Sequence, residues 1–248
     1  MSVNDTSDLK GITEVSQIAK HLREMLRENC RPGVSTSALD EICRKELKAV
    51  GAVSAPMTDY NAPCYAFYSV NDCIVHGLPN RSELVDGDLV KIDVTPKYNG
   101  FVADTACSVV VGNDGNDTLA ARLVASVERS FQNALGECRV GSEVNRIGRT
   151  IERTTTADGF FVTRELAGHG VGRAIHEEPS VYNYYEPRQR MRLTEGLVIA
   201  IEPMITSKRS AIRTTRDDWS IVASRGTLTA HYEHTVLITH SGPVVLTA

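Results

Sequence analysis

The sequence has no closely spaced pair of cysteines, although it contains six of them. A zinc ribbon takes its ligands from C-x-x-C pairs, so that class of structural metal site is excluded. A disulfide framework is typical of short secreted chains. This chain has 248 residues and a polar start, MSVNDTSDLK, which resembles neither a secretory signal nor a transit peptide. We therefore expect no disulfide framework.

Long apolar runs and an excess of charge of one sign are also missing. The longest apolar stretch, from Gly196 to Ile201, is too short to cross a bilayer and runs into Glu202. The net charge is −4, with acidic and basic residues mixed along the chain, which favours no nucleic-acid or membrane partner. With 42% hydrophobic residues the composition is that of a globular protein. We expect a cytoplasmic location.

No linker rich in proline, glycine or serine divides the chain. The sequence therefore predicts one domain over residues 1–248, with residues 1–12 as a flexible N-terminus. A faint internal repeat has a constant offset of 108 residues and matches Gly33, Leu39 and Gly51 with Gly141, Ile147 and Gly159. In both places a glycine turn precedes a predicted helix that ends in glycine, so the chain could consist of two related halves.

Periodicity predicts an α+β protein. Apolar residues at helical spacing predict a helix near residues 15–27, a second helix with Leu39, Ile42, Leu47 and Val50 along one side, and two more near residues 118–135 and 144–156. Thr36 or Ser37 can cap the second helix, and Gly51 can end it. Short apolar or alternating segments predict a hairpin over 88–111 and strands over 160–165, 197–202, 220–223 and 231–239.

The hairpin brings two carboxylates together. Asn99 and Gly100 form the strongest short hairpin signal, and a two-residue turn there places Asp93 opposite Ala106. Asp93 and Asp104 are then diagonal neighbours on one face, with Cα atoms roughly 7–8 Å apart. Each alone could simply point to water, as strand aspartates usually do. Together on an apolar hairpin, they repel each other unless a cation lies between them.

Two glutamates occupy similar apolar surroundings. Glu202 ends the run GLVIAIEPMI, and Glu233 lies within AHYEHTVLI. A carboxylate in a buried strand needs a metal, an arginine or a proton, although either residue could instead lie at an exposed strand end.

Three histidines lie beside glycines. His169 and His176 lie in GHGVGRAIHEEP, and His76 lies in VNDCIVHGLP. Glycine beside a histidine lets the backbone approach a ligand closely, although a single histidine is more often structural.

These segments, together with DGDLVKIDVTPKYNGFVADTA, IAIEPM and RPGVSTSALDEIC, resemble those of the type I methionine aminopeptidases in order and spacing. The resemblance covers roughly residues 10–240. It implies the α+β pita-bread fold, in which two pseudo-symmetric halves share a curved antiparallel sheet. It also implies one catalytic domain that removes N-terminal methionine from nascent polypeptides and prefers a small second residue.

The resemblance further implies a site for two divalent ions of Co, Mn, Fe or Zn. By analogy its ligands are Asp93, Asp104, His169, Glu202 and Glu233. Asp104 and Glu233 would bridge the ions, and Glu202 would also be the general base. His76 and His176 would contact the substrate peptide and stabilise the tetrahedral intermediate. Nascent N-terminal peptides are the expected partner, the ribosome is a further candidate, and the protein is expected to be a monomer.

The substrate pocket departs from the family pattern. Trp219 matches a family tryptophan beside the methionine side chain, but Phe67 stands where a small residue is usual. Ile175 stands where many members carry an aromatic residue. A related aminopeptidase with another residue-one preference, such as an Xaa-Pro enzyme, therefore remains an alternative, as does a non-catalytic peptide-binding member. A two-histidine, one-carboxylate iron oxygenase does not fit a ligand set with four carboxylates.

Two distances along the sequence indicate which branch of the family the chain resembles. The Xaa-Pro enzymes usually carry an additional N-terminal domain, whereas only 75 residues precede His76. His176 and Glu202 are 26 residues apart, which leaves no room for the helical insert of the type II methionine aminopeptidases. The short bacterial type I form is the expectation.

Overall fold

The computed structural model describes residues 1–112 and 118–248. The helices in these ranges are α1 (Thr6–Asn29), α2 (Thr36–Val50), α3 (Ala55–Tyr60), α4 (Leu119–Leu135) and α5 (Asn145–Ala157). The strands are β1 (Val53–Ser54), β2 (Phe67–Val70), β3 (Cys73–Val75), β4 (Leu89–Val94), β5 (Pro96–Tyr98), β6 (Phe101–Val102), β7 (Thr105–Val110), β8 (Phe161–Val162), β9 (Ala167–Gly170), β10 (Glu177–Tyr182), β11 (Val198–Ile201), β12 (Met204–Thr206), β13 (Arg213–Thr214), β14 (Ile221–Val222), β15 (Thr229–His231), β16 (Glu233–Leu237) and β17 (Val244–Val245).

A large antiparallel sheet forms the centre of the molecule. Its strand order is β10-β9-β11-β16-β7-β4-β2, with β17 beside β16, and three smaller sheets flank it. One face of β4 packs against α1 and α2, and the corresponding face of β11 and β16 packs against α4 and α5. We call this helix-covered side the outer face and the opposite side the inner face. No helix in residues 1–112 and 118–248 is long and apolar enough to span a membrane.

The two halves suggested by the repeat are visible in the backbone. The four glycines of the repeat all have positive φ angles, between 71° and 87°, which glycine adopts without strain: Gly33, Gly51, Gly141 and Gly159. Leu39 of α2 and Ile147 of α5 are both fully buried, each in the core beneath its own half of the sheet. The helices α2 and α5 are therefore equivalent elements of the two halves.

The N-cap of α2 differs from the prediction. Ser35, and not Thr36 or Ser37, accepts the hydrogen bond of the Ala38 backbone N–H at 3.2 Å. The hydroxyl of Thr36 is already used, because it exchanges hydrogen bonds with the backbone of Asn80 at 2.8 and 3.2 Å. A long-range contact thus decided which hydroxyl was free to cap.

The N-terminal residues make backbone contacts with a distant part of the chain. Ser2 forms a bridge with Leu197, and the Val3 backbone N–H donates to the carbonyl of Gly196 at 2.7 Å. The helix α1 already begins at Thr6, and Ile12 is fully buried in it. The polar composition of this segment concealed these backbone contacts, because they carry no side-chain pattern.

The hairpin has the predicted register. Asp93 lies opposite Ala106, and Asn99 and Gly100 have the positive φ angles, 49° and 80°, of a two-residue turn. The hairpin bends after Val94, so that β4 and β7 belong to the large sheet while β5 and β6 join β1 in a small one. Other strands were predicted too long, since 160–165 is regular only at 161–162 and 231–239 is interrupted at Tyr232.

A lysine lies buried on the inner face of β4. The side chain of Lys91 is 1% exposed, and its Nζ donates to the backbone carbonyl of Asn71 at 2.9 Å. Burial lowers the pKa of Lys91 to about 7, and this effect outweighs the attraction of Cys73, Asp72 and Asp88. Much of the lysine is therefore neutral in the folded protein near pH 7.

Lys91 should make the metal-free protein more stable as the pH rises from 7 to 8.5. An unfolded lysine titrates near pH 10.4, so in this range the unfolded chain binds more protons than the folded one. The wild type should therefore gain up to about 2 kcal/mol of unfolding free energy relative to Lys91→Met. Urea unfolding at both pH values measures this difference. Lys10→Met, at an exposed lysine of α1, serves as the control. Parallel pH profiles for the wild type and Lys91→Met would contradict the assignment.

Candidate active site

One row of the large sheet carries two acids and an aromatic residue. Phe67 of β2 pairs with Asp93 of β4, Asp93 pairs with Ala106 of β7, and Ala106 pairs with Glu233 of β16. Residues paired in this way point to the same face, here the inner one. The small side chain of Ala106 separates Asp93 from Glu233 and leaves open space between their carboxylates.

Asp104 joins these acids from the bend of the hairpin. Its Oδ1 accepts a hydrogen bond from the hydroxyl of Thr95 at 2.9 Å. Its backbone N–H donates to Thr235 Oγ1 at 2.9 Å, and that hydroxyl donates to the Asp104 carbonyl at 2.8 Å. Side chains from both strands beside it therefore fix the backbone and one carboxylate oxygen of Asp104.

Glu202 enters the site where two strand pairs are interrupted. β11 pairs with β16 as far as Ile201 and His234, and pairing resumes between β12 and β15 at Met204 and His231. Pro203 lies in the gap and has no backbone N–H for a ladder. The interruption frees Glu202 from the regular sheet, and its side chain lines the same cavity as Glu233.

His169 depends on its two glycine neighbours. A Cβ at Gly168 would lie 2.4 Å from a backbone oxygen of β11, and one at Gly170 would lie 2.2 Å from a backbone oxygen of β10. Only glycine allows the strands to approach this closely. The imidazole donates its Nδ1–H to the carbonyl of Gly170 at 2.9 Å. Its Nε2 therefore keeps a free lone pair, 3.3 Å from Glu202 Oε1 and 3.9 Å from Asp104 Oδ2.

The four acids lie in an environment that opposes their ionisation. Burial raises the pKa of Asp93, Glu202 and Glu233 well above the usual range, and the neighbouring carboxylates raise it further. Burial raises the pKa of Asp104 to about 6, although the hydrogen bond from Thr95 acts in the opposite direction. A cation between the carboxylates would reverse these effects.

Unpaired carboxylate oxygens also indicate that the site needs a cation. Asp93 Oδ1 and Glu233 Oε1 are buried, and no residue in the described part of the chain hydrogen-bonds to them. Asp104, His169 and Glu233 each supply one ligand atom to a group in which all the atoms lie within 4.8 Å of one another. Native proteins rarely leave buried polar atoms without a partner. The residues present therefore fit a metal centre rich in oxygen ligands.

Two further histidines face this centre. Burial lowers the pKa of His76 to about 4, with a smaller contribution from His176. Burial also lowers the pKa of His176, whose ring lies 4.4 Å from that of His169. A hydrogen bond of 2.9 Å joins Nδ1 of His176 to the hydroxyl of Tyr60. Both imidazoles are thus neutral near pH 7 and can each donate one N–H.

An aromatic group closes one side of the cavity. The ring of Phe67 lies 4.9 Å from that of His76 and 5.7 Å from that of Trp219, measured between centroids. Ile175 is 4% exposed and lies beside His176. The cavity has a volume of about 180 Å³, and its lining includes all ten residues expected at the site: Phe67, His76, Asp93, Asp104, His169, Ile175, His176, Glu202, Trp219 and Glu233.

Sequence reasoning overlooked His231. It is 1% exposed, and its Nε2 lies 3.6 Å from both Glu202 Oε2 and Glu233 Oε2. Strand alternation in AHYEHTVLI could have revealed it, because a residue two positions before Glu233 lies on the same face of an extended chain. His234, on the opposite face, instead contacts Arg23 of α1.

The sequence matches metallopeptidase family M24 over residues 10–240. The methionine aminopeptidase 2 of Bacillus subtilis (strain 168) is 37% identical, and the alignment covers 100% of this chain and 99% of that protein. A methionine aminopeptidase of Staphylococcus epidermidis is 34% identical, with 100% and 98% covered.

Solved structures agree with these matches. The methionine aminopeptidase from Rickettsia prowazekii has a TM-score of 0.94 to this chain at 27% identity, with 100% of both chains covered. The prolidase from Pyrococcus furiosus has a TM-score of 0.77 at 21% identity and is covered to 65%, so that likeness concerns the fold alone. The expected α+β pita-bread fold is confirmed. The chain belongs to metallopeptidase family M24, a family of metal-dependent hydrolases.

Proposed function

We propose that this protein is a cytoplasmic methionine aminopeptidase that hydrolyses the peptide bond after the N-terminal methionine of nascent polypeptides. The observation that carries the proposal is the cluster of four carboxylates, three of them on buried residues, and His169, which opens into one cavity with His76 and His176. Full-length relatives named methionine aminopeptidase support the same reaction.

The ligands would be Asp93, Asp104, His169, Glu202 and Glu233, which together would hold two divalent ions. Four ionised carboxylates balance the positive charge of such a pair. When bound, the ions would supply polarisation of the scissile carbonyl and a lower pKa for the attacking water. A set of oxygen ligands with one imidazole suits Mn, Fe or Co at least as well as Zn.

Glu202 would be the general base. Its Oε1 faces His169 at 3.3 Å and its Oε2 faces His231 at 3.6 Å, so imidazoles flank the carboxylate on both sides. Neither distance is that of a strong hydrogen bond to a carboxylate. Glu202 is therefore able to take a proton from the attacking water and to pass it to the leaving amine.

His76 and His176 would handle the substrate peptide. Because both are neutral near pH 7, each can donate an N–H without bringing a positive charge beside the metal ions. We propose that they contact the peptide nitrogen and the carbonyl oxygen, where negative charge develops in the transition state. The hydrogen bond to Tyr60 holds the ring of His176 in place.

The methionine side chain would lie against Phe67, Trp219 and Ile175. A thioether beside an aromatic ring gains about 0.3–1.5 kcal/mol, which favours methionine in a pocket with aromatic walls. Phe67 also shares its row of the sheet with Asp93, so the pocket wall and a proposed metal ligand lie on adjacent strands. The preference for a small second residue rests on the likeness to the family.

Glu202→Ala should lose more than 99% of the turnover while it remains folded. The substitution removes both a proposed metal ligand and the base, and a general base alone typically contributes 10²–10⁴-fold. Hydrolysis of a methionyl peptide, with the metal content and the circular dichroism measured on the same sample, tests this. Glu195→Ala, at an exposed acid, is the control. A variant with normal metal content and more than about a hundredth of the wild-type rate would refute the base.

Removal of metal should abolish activity, and Co, Mn or Fe should restore it. Among residues 1–112 and 118–248, no lysine or arginine lines the cavity to neutralise the four carboxylates, and the proposed activation of water needs a divalent ion. Dialysis against a chelator, elemental analysis and titration with each metal measure the effect. Full turnover in a preparation shown to be free of metal would exclude the proposed reaction.

Met-Ala-Ser should be cleaved faster than Leu-Ala-Ser or Ala-Ala-Ser. One methylene-sized difference in an apolar pocket changes selectivity by roughly 10–200-fold. Phe67→Ala should enlarge the pocket and reduce the discrimination against leucine without abolishing hydrolysis. The kcat/KM values for the three peptides provide the measurement. Equal rates for the three peptides in the wild type would indicate an aminopeptidase with a different residue-one preference, and preferred cleavage of an Xaa-Pro peptide would identify the alternative enzyme.

A further inference from the structure

His231 is a buried imidazole without a partner for either ring nitrogen. It ends β15 and is 1% exposed. Neither Nδ1 nor Nε2 has a hydrogen-bond partner among residues 1–112 and 118–248. Leaving a buried polar group unpaired costs free energy, so another interaction must offset this cost. The surroundings of the His231 Nε2 indicate which interaction does so.

The backbone of His231 is held firmly in place. The hydroxyl of Ser108 donates to the His231 carbonyl at 2.8 Å and accepts the His231 backbone N–H at 3.0 Å. The same residue pairs with Met204 across β12. These contacts fix the Cα–Cβ direction, and the imidazole therefore points steadily at the acids on the inner face.

The distances around Nε2 resemble those at a metal ligand. His231 Nε2 lies 3.6 Å from one oxygen of Glu202 and 3.6 Å from one oxygen of Glu233. These distances are too long for hydrogen bonds. Two ligand atoms that are each about 2.1 Å from a tetrahedral metal lie about 3.4 Å apart, which is close to the observed spacing.

A neighbouring histidine allows a direct comparison. His169 Nε2 lies 3.3 Å from the other oxygen of Glu202. One ligand atom each from Asp104, His169 and Glu233 forms a group within 4.8 Å, and one atom each from Asp93, His231 and Glu233 forms a second such group. Glu233 belongs to both groups, as a carboxylate between two ions would.

We propose that His231, through Nε2, is a sixth protein ligand of the metal centre and supplies an imidazole to the ion on the Asp93 side. This inference rests on the proposed function, because it requires the two divalent ions. It gives each ion one nitrogen ligand: His169 on one side and His231 on the other. The centre would then be more symmetric than the five ligands implied by the family resemblance.

Paramagnetic NMR of the cobalt-loaded full chain tests the proposal. Each imidazole bound to Co(II) contributes a strongly shifted ring N–H signal that is absent in D₂O. The wild type with two equivalents of Co(II) should show two such signals, and His231→Gln should show one. His76→Ala removes an imidazole of the same cavity that is not a proposed ligand and should keep both signals. Thermal unfolding of each variant checks that it is folded.

Calorimetric titration with Co(II) provides a second readout. His231→Gln should weaken the binding of one ion by about tenfold or more and leave the other nearly unchanged, since even residues outside the ligand set change metal affinity by 10–100-fold. A wild-type spectrum with a single shifted signal would overturn the proposal and leave His231 as a residue that orients Glu202 and Glu233. The proposed function would still stand in that case, because the wild type would continue to hydrolyse methionyl peptides. A wild type that binds no cobalt at all would instead overturn the proposed function.

Discussion

Repulsion among four buried acids is the physical constraint on which this structure depends. Asp93, Asp104, Glu202 and Glu233 are each no more than half-exposed, and burial raises the pKa of every one of them. Ionised carboxylates that share a desolvated cavity destabilise the fold unless cations neutralise them. The sheet tolerates the arrangement because its helix-covered outer face supplies the apolar burial.

The two halves of the fold contribute unequal parts of the centre. The first half supplies Asp93 and Asp104 from a single hairpin, and the second half supplies His169 from β9, Glu202 from the break between β11 and β12, and Glu233 from β16. The seam between the halves is the pairing of β7 with β16, where Ala106 lies opposite Glu233. Neither half contains a complete ligand set, so the chemistry depends on the correct pairing of two strands that are distant in the sequence.

Hydrolysis and substrate preference have separate structural origins within the cavity. Asp93, His169 and Glu233 lie on paired strands, and Asp104 and Glu202 lie directly beside strand ends. Trp219 follows a turn in which Asp217 accepts several hydrogen bonds, and the packing of Phe67 against Trp219 shapes the pocket wall. Loops of this kind tolerate change more readily than sheet interiors do.

Local chemistry was enough to determine the hairpin register. Asn99 and Gly100 favour a two-residue turn, and that turn places Asp93 opposite Ala106. The glycine turns around α2 and α5 were readable for the same reason. Sequence motifs alone also indicated the family and ten of the residues that line the cavity. Contacts between distant segments were not readable. The cap of α2 depended on Asn80, the backbone contacts of Ser2 and Val3 depended on the backbone near Gly196, and the short strands around His169 carry no periodic pattern.

His231 illustrates the difference between what a local sequence pattern predicts and what contacts between distant segments decide. Alternation along β15 and β16 gives its face, but the sequence contains no measure of how far its Nε2 lies from Glu202. That distance depends on the interruption at Pro203, which moves one strand pair relative to the other. The sequence by itself determined which acids share a face, because strand periodicity is local. Only the tertiary structure decided which atoms of the two halves meet, because that depends on pairing between segments more than a hundred residues apart.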